Sequence, residues 1–142
     1  MKKYEDSLSD LKKQKIMNVQ DETFINNDLM WQDTDKNLKL KLNRLEFKVY
    51  CRNLELANRK DWRVPTYKEL NALVDYNKID PANLDKIEFV DSLKYWSSTP
   101  DVLEKNKNWF INFTDGSSDT ANDLERLNVR CVRDISSIKG SY

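Results

Sequence analysis

Histidine is absent from this chain of 142 residues. Its absence removes Ser-His-Asp and Cys-His nucleophilic catalysis, His-ligated zinc and a histidine pH switch. Cysteine occurs twice, too few for a four-cysteine zinc site. With two glycines and three prolines, the loops must be built largely from Asn, Asp and Ser, which bond their own backbone in turns. No apolar run is long enough to span a membrane. The opening stretch, MKKYEDSLSDLKKQK, has a basic start but lacks the apolar core of a signal peptide. Neither sign of charge is in excess, because 24 basic and 24 acidic residues cancel. A strongly basic chain would point to nucleic acid or an anionic membrane; neither is expected here as a partner, and nor is membrane insertion.

Aromatic residues are present in number: four Trp, six Tyr and five Phe, enough to supply much of one core in a chain of single-domain size. Residues 1–17 differ from the rest in being rich in Lys, Asp and Glu, with Tyr4, Leu8 and Leu11 at helical spacing. They read as a short amphipathic helix or stalk, or as a solvated leader. Residues 22–32 hold β-formers around Asn26-Asn27-Asp28 and read as a hairpin. Residues 41–56 read as a helix. Phe47, Tyr50, Cys51 and Leu54 fall on one side, and Leu42, Leu45 and Val49 form a second apolar flank, so cover on more than one side is expected. Asn58 follows as a left-handed cap.

Thr66 and Glu69 have the spacing of a capping box, starting a second helix that turns Leu70, Leu73 and Val74 to the core. Residues 76–94, polar and carrying Pro81, read as a long irregular loop. Strands are expected at Tyr95–Ser98, at Asn108–Thr114 with Trp109, Ile111 and Phe113 alternating, and at Leu127–Arg133 with Val129 and Cys131 sharing a face with Leu127. Asp115-Gly116 is a turn dipeptide. Helices segregated from an antiparallel sheet make an α+β domain over 22–135, between a leader at 1–21 and a tail at 136–142.

The stretches LMWQD at 29–33, YCRNLELANRKDWRVPTYKEL at 50–70, YWSST at 95–99, NWFINFTDG at 108–116 and VRCVR at 129–133 resemble the Lcl C-terminal-domain family. This bacterial family of largely uncharacterised function is named after the last domain of a collagen-like adhesin. The resemblance covers roughly residues 22 to 134. It implies a C-type-lectin-like fold, related to that of formylglycine-generating enzymes and phage receptor-binding proteins: two helices packed on small antiparallel sheets. Members are usually exported, and the best-known relative binds sulfated glycosaminoglycans. Three positions depart from the family pattern. Arg44 stands where a Trp is common, Phe47 where a small residue is usual, and Asn58 where Gly follows the first helix.

In folds of this kind a disulfide joins the first helix to the last strand, so the resemblance implies a Cys51–Cys131 bridge; the alternative is two buried free thiols. A bridge implies an oxidising compartment, and the chain then reads as a mature or truncated form of an exported precursor. The tryptophans Trp31, Trp62, Trp96 and Trp109 offer a sugar-stacking platform, but each sits among strand or helix-start signals, and at least three read as core. Arg63, between Trp62 and Val64, reads as pairing with a carboxylate or a carbonyl. Asp33-Thr34-Asp35-Lys36-Asn37 imitates a calcium loop, but Leu38 occupies the position needing Gly and Arg44 the position needing Glu. The loop and strand tripeptides of calcium-dependent lectins are also missing. No metal and no cofactor is expected.

Lys41, Arg44, Lys48 and Arg52 recur at steps of three and four and read as one basic stripe on the first helix; Arg126, Arg130 and Arg133 add charge near the last strand. Sulfated or phosphorylated glycans bind such surfaces by charge-assisted hydrogen bonds. An ordinary solvated helix face has the same spacing. The expectation is therefore a non-catalytic, extracytoplasmic, adhesin-like binding module for a glycan or a cell-surface protein. A structural module that assembles through residues 1–17 is the alternative. An enzyme of the formylglycine-generating type is the less favoured one, because its active-site cysteines would here be tied up in the bridge.

Overall fold

A computed structural model describes residues 22–135. The leader and tail read from the sequence lie outside the described residues. The chain opens with the expected hairpin, β1 (Thr23–Asn26) and β2 (Leu29–Gln32), in antiparallel register from Thr23 opposite Gln32 to Asn26 opposite Leu29. Its two-residue turn, Asn27-Asp28, has φ values of 54° and 61°. A turn with both central residues left-handed matches strand twist, and Asn and Asp tolerate that conformation better than other non-Gly residues.

A single turn, α1 (Lys36–Lys39), and a two-residue strand, β3 (Lys41–Leu42), precede the main helix α2 (Arg44–Asn53). The helix therefore starts three residues later than the periodicity predicts. Asn43 sets the boundary: its Oδ1 accepts from Leu45 N and Glu46 N at 3.0 Å, while Glu46 Oε1 accepts from Asn43 N at 3.0 Å. This capping box satisfies free backbone donors and leaves Lys41 and Leu42 to pair with a strand. The helix ends at Asn53, with Leu54 extended. Asn58 is left-handed, but as half of a two-residue Ala57-Asn58 turn between Leu56 and Arg59, not as the helix cap. Helix α3 (Tyr67–Asn71) opens with the expected Thr66–Glu69 capping box.

Five more strands follow: β4 (Lys94–Pro100), β5 (Asn108–Asn112), β6 (Ser117–Ala121), β7 (Leu127–Asn128) and β8 (Val132–Asp134). They form a sheet in the order β3-β7-β4-β5-β6, and a second in the order β1-β2-β8. Pairing is antiparallel except between β4 and β7, where Tyr95 lies parallel to Asn128. The expected strand Leu127–Arg133 is thus two strands, one in each sheet. Buried side chains take over between them. Asn37 Nδ2 donates to Val129 O at 3.1 Å, and Gln32 Oε1 accepts from Cys131 N at 3.1 Å, so side chains satisfy Val129 O and Cys131 N where the backbone crosses between sheets.

The larger sheet divides two cores. Trp31, Leu70, Leu73, Tyr95, Ile111 and Phe113 pack on the α3 side, and Phe47, Cys51, Trp62, Trp96, Phe110 and Leu127 on the α2 side. Cover on both faces explains why YW and WFINF read as near-continuous apolar runs, where one covered face would give alternation. The helices therefore lie on opposite faces of the larger sheet, and the domain is α+β as expected, with one parallel strand pair among antiparallel ones. Strand β6, SSDTA, buries only Ala121 and carries no apolar pattern from which it could be read. Trp31, Trp62 and Trp96 are core, as expected, while Trp109 is half-buried against Tyr67.

Candidate functional site

Helix α2 buries Phe47 and Cys51 and half-buries Tyr50, and Leu54 just after it is half-buried too. Its other flank is open: Leu45 is 70% exposed and Val49 44%. The expectation that both flanks are covered fails here among the described residues. Leu45 and Val49, with Lys48 and Arg52, form one side of an open groove of about 810 Å³. Phe47, Trp62 and Val64 form its buried floor. Arg63, Thr66, Ser98, Pro100 and Asn108 form the facing side.

Several bonds fix this geometry. The indole of Trp62 donates to Leu56 O at 3.3 Å and Arg59 O at 3.2 Å. The backbone of Arg63 exchanges two 2.8 Å hydrogen bonds with Val132. Ser98 N donates to Pro65 O at 2.7 Å. The Cys51–Cys131 disulfide, with Cα atoms 5.5 Å apart, ties α2 to the segment entering β8. Both sulfurs are fully buried. A disulfide suits an oxidising compartment.

The basic residues singled out by spacing divide into distinct environments. Lys41 is exposed on β3, off the helix. Arg44 opens α2, but its guanidinium donates to Asn108 Oδ1, to Asp123 and to Lys105 O at 3.0 Å, joining the β4–β5 and β6–β7 loops. Arg126 pairs with Glu46 at 3.0 Å. Arg130 is 2% exposed and is no ligand surface. Its guanidinium donates to Gln32 O, Asn37, Asp33 and Phe89 O in the interior. Arg133 is buried against Asp61, bonded at 2.7 and 3.2 Å. Lys48 and Arg52 remain: both are exposed, both line the groove, and neither makes an ion pair among the described residues.

Arg63 pairs as expected, in a bidentate contact with Glu69 at 2.8 Å and with Asp134 at 3.0 and 3.2 Å. These carboxylates push its pKa up, against burial. In turn the Arg63 hydrogen bonds hold the Glu69 carboxyl below its usual range, against burial, with the Thr66 N–H helping. A carboxyl depressed in the folded state adds stability above its unfolded pKa, about 4.3, and loses it as pH falls through the folded value. Glu69→Gln should therefore be less stable than wild type at pH 7, with the gap in melting temperature closing towards pH 3. A gap that stays constant with pH would show that charge on Glu69 is not what matters.

The calcium-like segment is committed to the fold. The Asp33 carboxylate accepts from Glu88 N at 2.9 Å and Phe89 N at 2.8 Å, while Asp35 pairs with Lys39 at 3.3 Å. No group of three or more His, Cys, Asp or Glu gathers among the described residues. No helix among them is long and apolar enough to cross a membrane. Nothing in the sequence marked Ser98, Pro100 and Asn108 as site residues, since only tertiary packing brings them opposite α2.

The class is therefore an α+β domain with two sheets, a helix-to-strand disulfide and an open groove beside the bridged helix. The profile described as the Lcl C-terminal domain matches residues 19–133, and the chain belongs to that family. No curated protein matches the chain.

Proposed function

We propose that this domain is a non-catalytic binding module of an extracytoplasmic compartment, adhesin-like, built on a C-type-lectin-like scaffold. Its ligand is an anionic glycan or another cell-surface polymer held along the α2 groove. The observation that carries this reading is the pair Lys48 and Arg52, four residues apart on the groove's rim and without an ion pair among the described residues. A repeating polyanion meets both at once, and charge-assisted hydrogen bonds to sulfate or carboxylate hold it. The disulfide supports export. The scaffold reading is supported by the helix-to-strand bridge and by β8 closing on the N-terminal hairpin. Chemistry of the formylglycine-generating type is not proposed, because both cysteines are joined and buried.

Retention on heparin resin in a salt gradient tests the reading. Arg44 is unsuitable as a probe, since its replacement would also release two loops. Lys48→Glu with Arg52→Glu should weaken binding by about tenfold, given the small worth of each exposed charge. The control pair Lys36→Glu with Lys39→Glu, of equal charge change on exposed α1, should elute with wild type. Wild type appearing in the flow-through would overturn the polyanion reading. Exposed Leu45 and Val49 favour a second reading, an assembly module, which a dimer mass in solution would support.

A further inference from the structure

The α2 groove holds more apolar surface than a bare sugar chain can use. Leu45 and Val49, one turn apart, stand exposed on its helix side, above the floor of Phe47, Trp62 and Val64, and Pro100 is exposed on the facing side. Most polar groups along it are already engaged. The Arg63 guanidinium is held by Glu69 and Asp134, and that of Arg44 by Asn108, Asp123 and Lys105 O. Asn108 also donates its Nδ2 to Ser97 O at 3.1 Å. A glycan ring needs a partner for each hydroxyl it takes out of water, and these walls offer chiefly the hydroxyls of Thr66 and Ser98.

Free charge is confined to one rim. Lys48 and Arg52 make no ion pair among the described residues. The carboxylates nearest them in the chain are taken up elsewhere: Glu46 by Arg126 at 3.0 Å, and Glu55 by Lys60 at 3.5 Å. An apolar trough with cations on one rim complements a ligand that joins an apolar chain to an anionic group. The volume of about 810 Å³ is that of a site for a molecule of this kind.

We propose that the groove takes an anionic amphiphile. Its acyl chain lies along Leu45, Val49 and the floor, and its carboxylate, sulfate or phosphate head accepts hydrogen bonds from Lys48 and Arg52. The inference rests on the reading of this groove as the ligand site, and it narrows the occupant to the lipid-bearing end of a cell-surface polymer. The chain gains by leaving water, and each methylene adds a similar increment.

The probes are hexanoate, octanoate and decanoate, each below its micelle concentration. They are titrated into the full chain by calorimetry, and backbone amide NMR shifts place them. Burying a methylene is worth about fourfold in affinity when complete and about twofold when half its surface is covered. Affinity should therefore rise about four- to fifteenfold from each acid to the next, with shifts concentrated on residues 44–53 and 62–66. Val49→Asp should remove most of this chain-length gain. Lys48→Glu with Arg52→Glu should weaken every member about tenfold. Octyl glucuronide, which joins the chain to an acidic sugar, should bind at least as tightly as octanoate. Octanoate binding without the glucuronide would overturn the assignment to a polymer's lipid end. Affinity independent of chain length, shifts scattered over the domain, or no heat with decanoate would overturn the amphiphile. Chain-length-dependent binding in a protein that heparin resin does not retain would leave the amphiphile standing and remove the bare polyanion. Retention through Lys48 and Arg52 without chain-length dependence would do the reverse.

Discussion

Cys51→Ala with Cys131→Ala is expected to lower stability by about 4–5 kcal/mol, corresponding to roughly 15 °C in melting temperature for a domain of this size. The bridge closes a sequence separation of 80 residues, and the entropy it removes from the unfolded chain grows with the logarithm of that length. The loop includes the last turn of α2, all of α3 and strands β4 to β7, so the unbridged chain regains freedom across both cores. Both sulfurs are fully buried, so reductant should reach them only when the domain opens. Wild type in reductant should therefore lose the bridge slowly in native buffer and quickly near its unfolding midpoint. Melting curves for the variant that overlay those of wild type would show that the bridge adds nothing to the fold.

Arg130→Met is expected to cost about 3–5 kcal/mol, the range for breaking one side of a buried ion pair. Arg130 donates to Gln32 O at 2.6 Å, Asn37 Oδ1 at 3.2 Å and Asp33 Oδ1 at 3.4 Å, and also to Phe89 O. Its guanidinium lies over the rings of Tyr95 at 5.4 Å and Phe24 at 5.9 Å. Removing it leaves two carbonyls and one carboxylate short of partners in the interior, and each unmet group keeps its desolvation cost. Arg130→Lys should recover only part of the loss. A single ammonium cannot span from the Gln32–Asn37 side to Phe89 as the planar fork does. Arg130→Met combined with Asp33→Asn should recover part of the loss of Arg130→Met, because it removes a buried charge without a cation, while the amide oxygen can accept from only one of Glu88 N and Phe89 N, which the carboxylate serves together. Denaturant melts of the four proteins check this. A double variant no better than the single would show that the uncompensated charge of Asp33 is not the main source of the loss.

Arg130 also shows where reading by spacing fails. In sequence it belongs to a series of arginines near the last strand, and nothing local separates it from Arg126. Arg126 is 57% exposed at its side chain and pairs with Glu46, while Arg130 is sealed inside. The difference comes from residues about 90 to 100 positions away, Gln32, Asp33 and Asn37, which meet the segment only after the two sheets close. The stripe on α2 has the same limit. Spacing correctly placed Arg44, Lys48 and Arg52 along one helix, and all three line the groove. Which of them are available was decided by Asn108 and Asp123, whose approach to Arg44 depends on the β4–β5–β6 arrangement.

What the sequence determined by itself is what short-range chemistry governs. The Asn27-Asp28 turn, the Thr66–Glu69 capping box and the buried side of α2 follow from residues within a few positions of one another. The family, and with it the Cys51–Cys131 pairing, was legible from motifs that recur in order. The tertiary structure alone decided what depends on distant partners. It split the final strand between two sheets, since Asn37 and Gln32 satisfy the backbone where the ladder breaks. It placed polar β6 at a sheet edge, where pairing with β5 needs no apolar pattern. It left Leu45 and Val49 exposed beside Lys48 and Arg52, because a helix has two flanks and periodicity does not say which of them meets a neighbour.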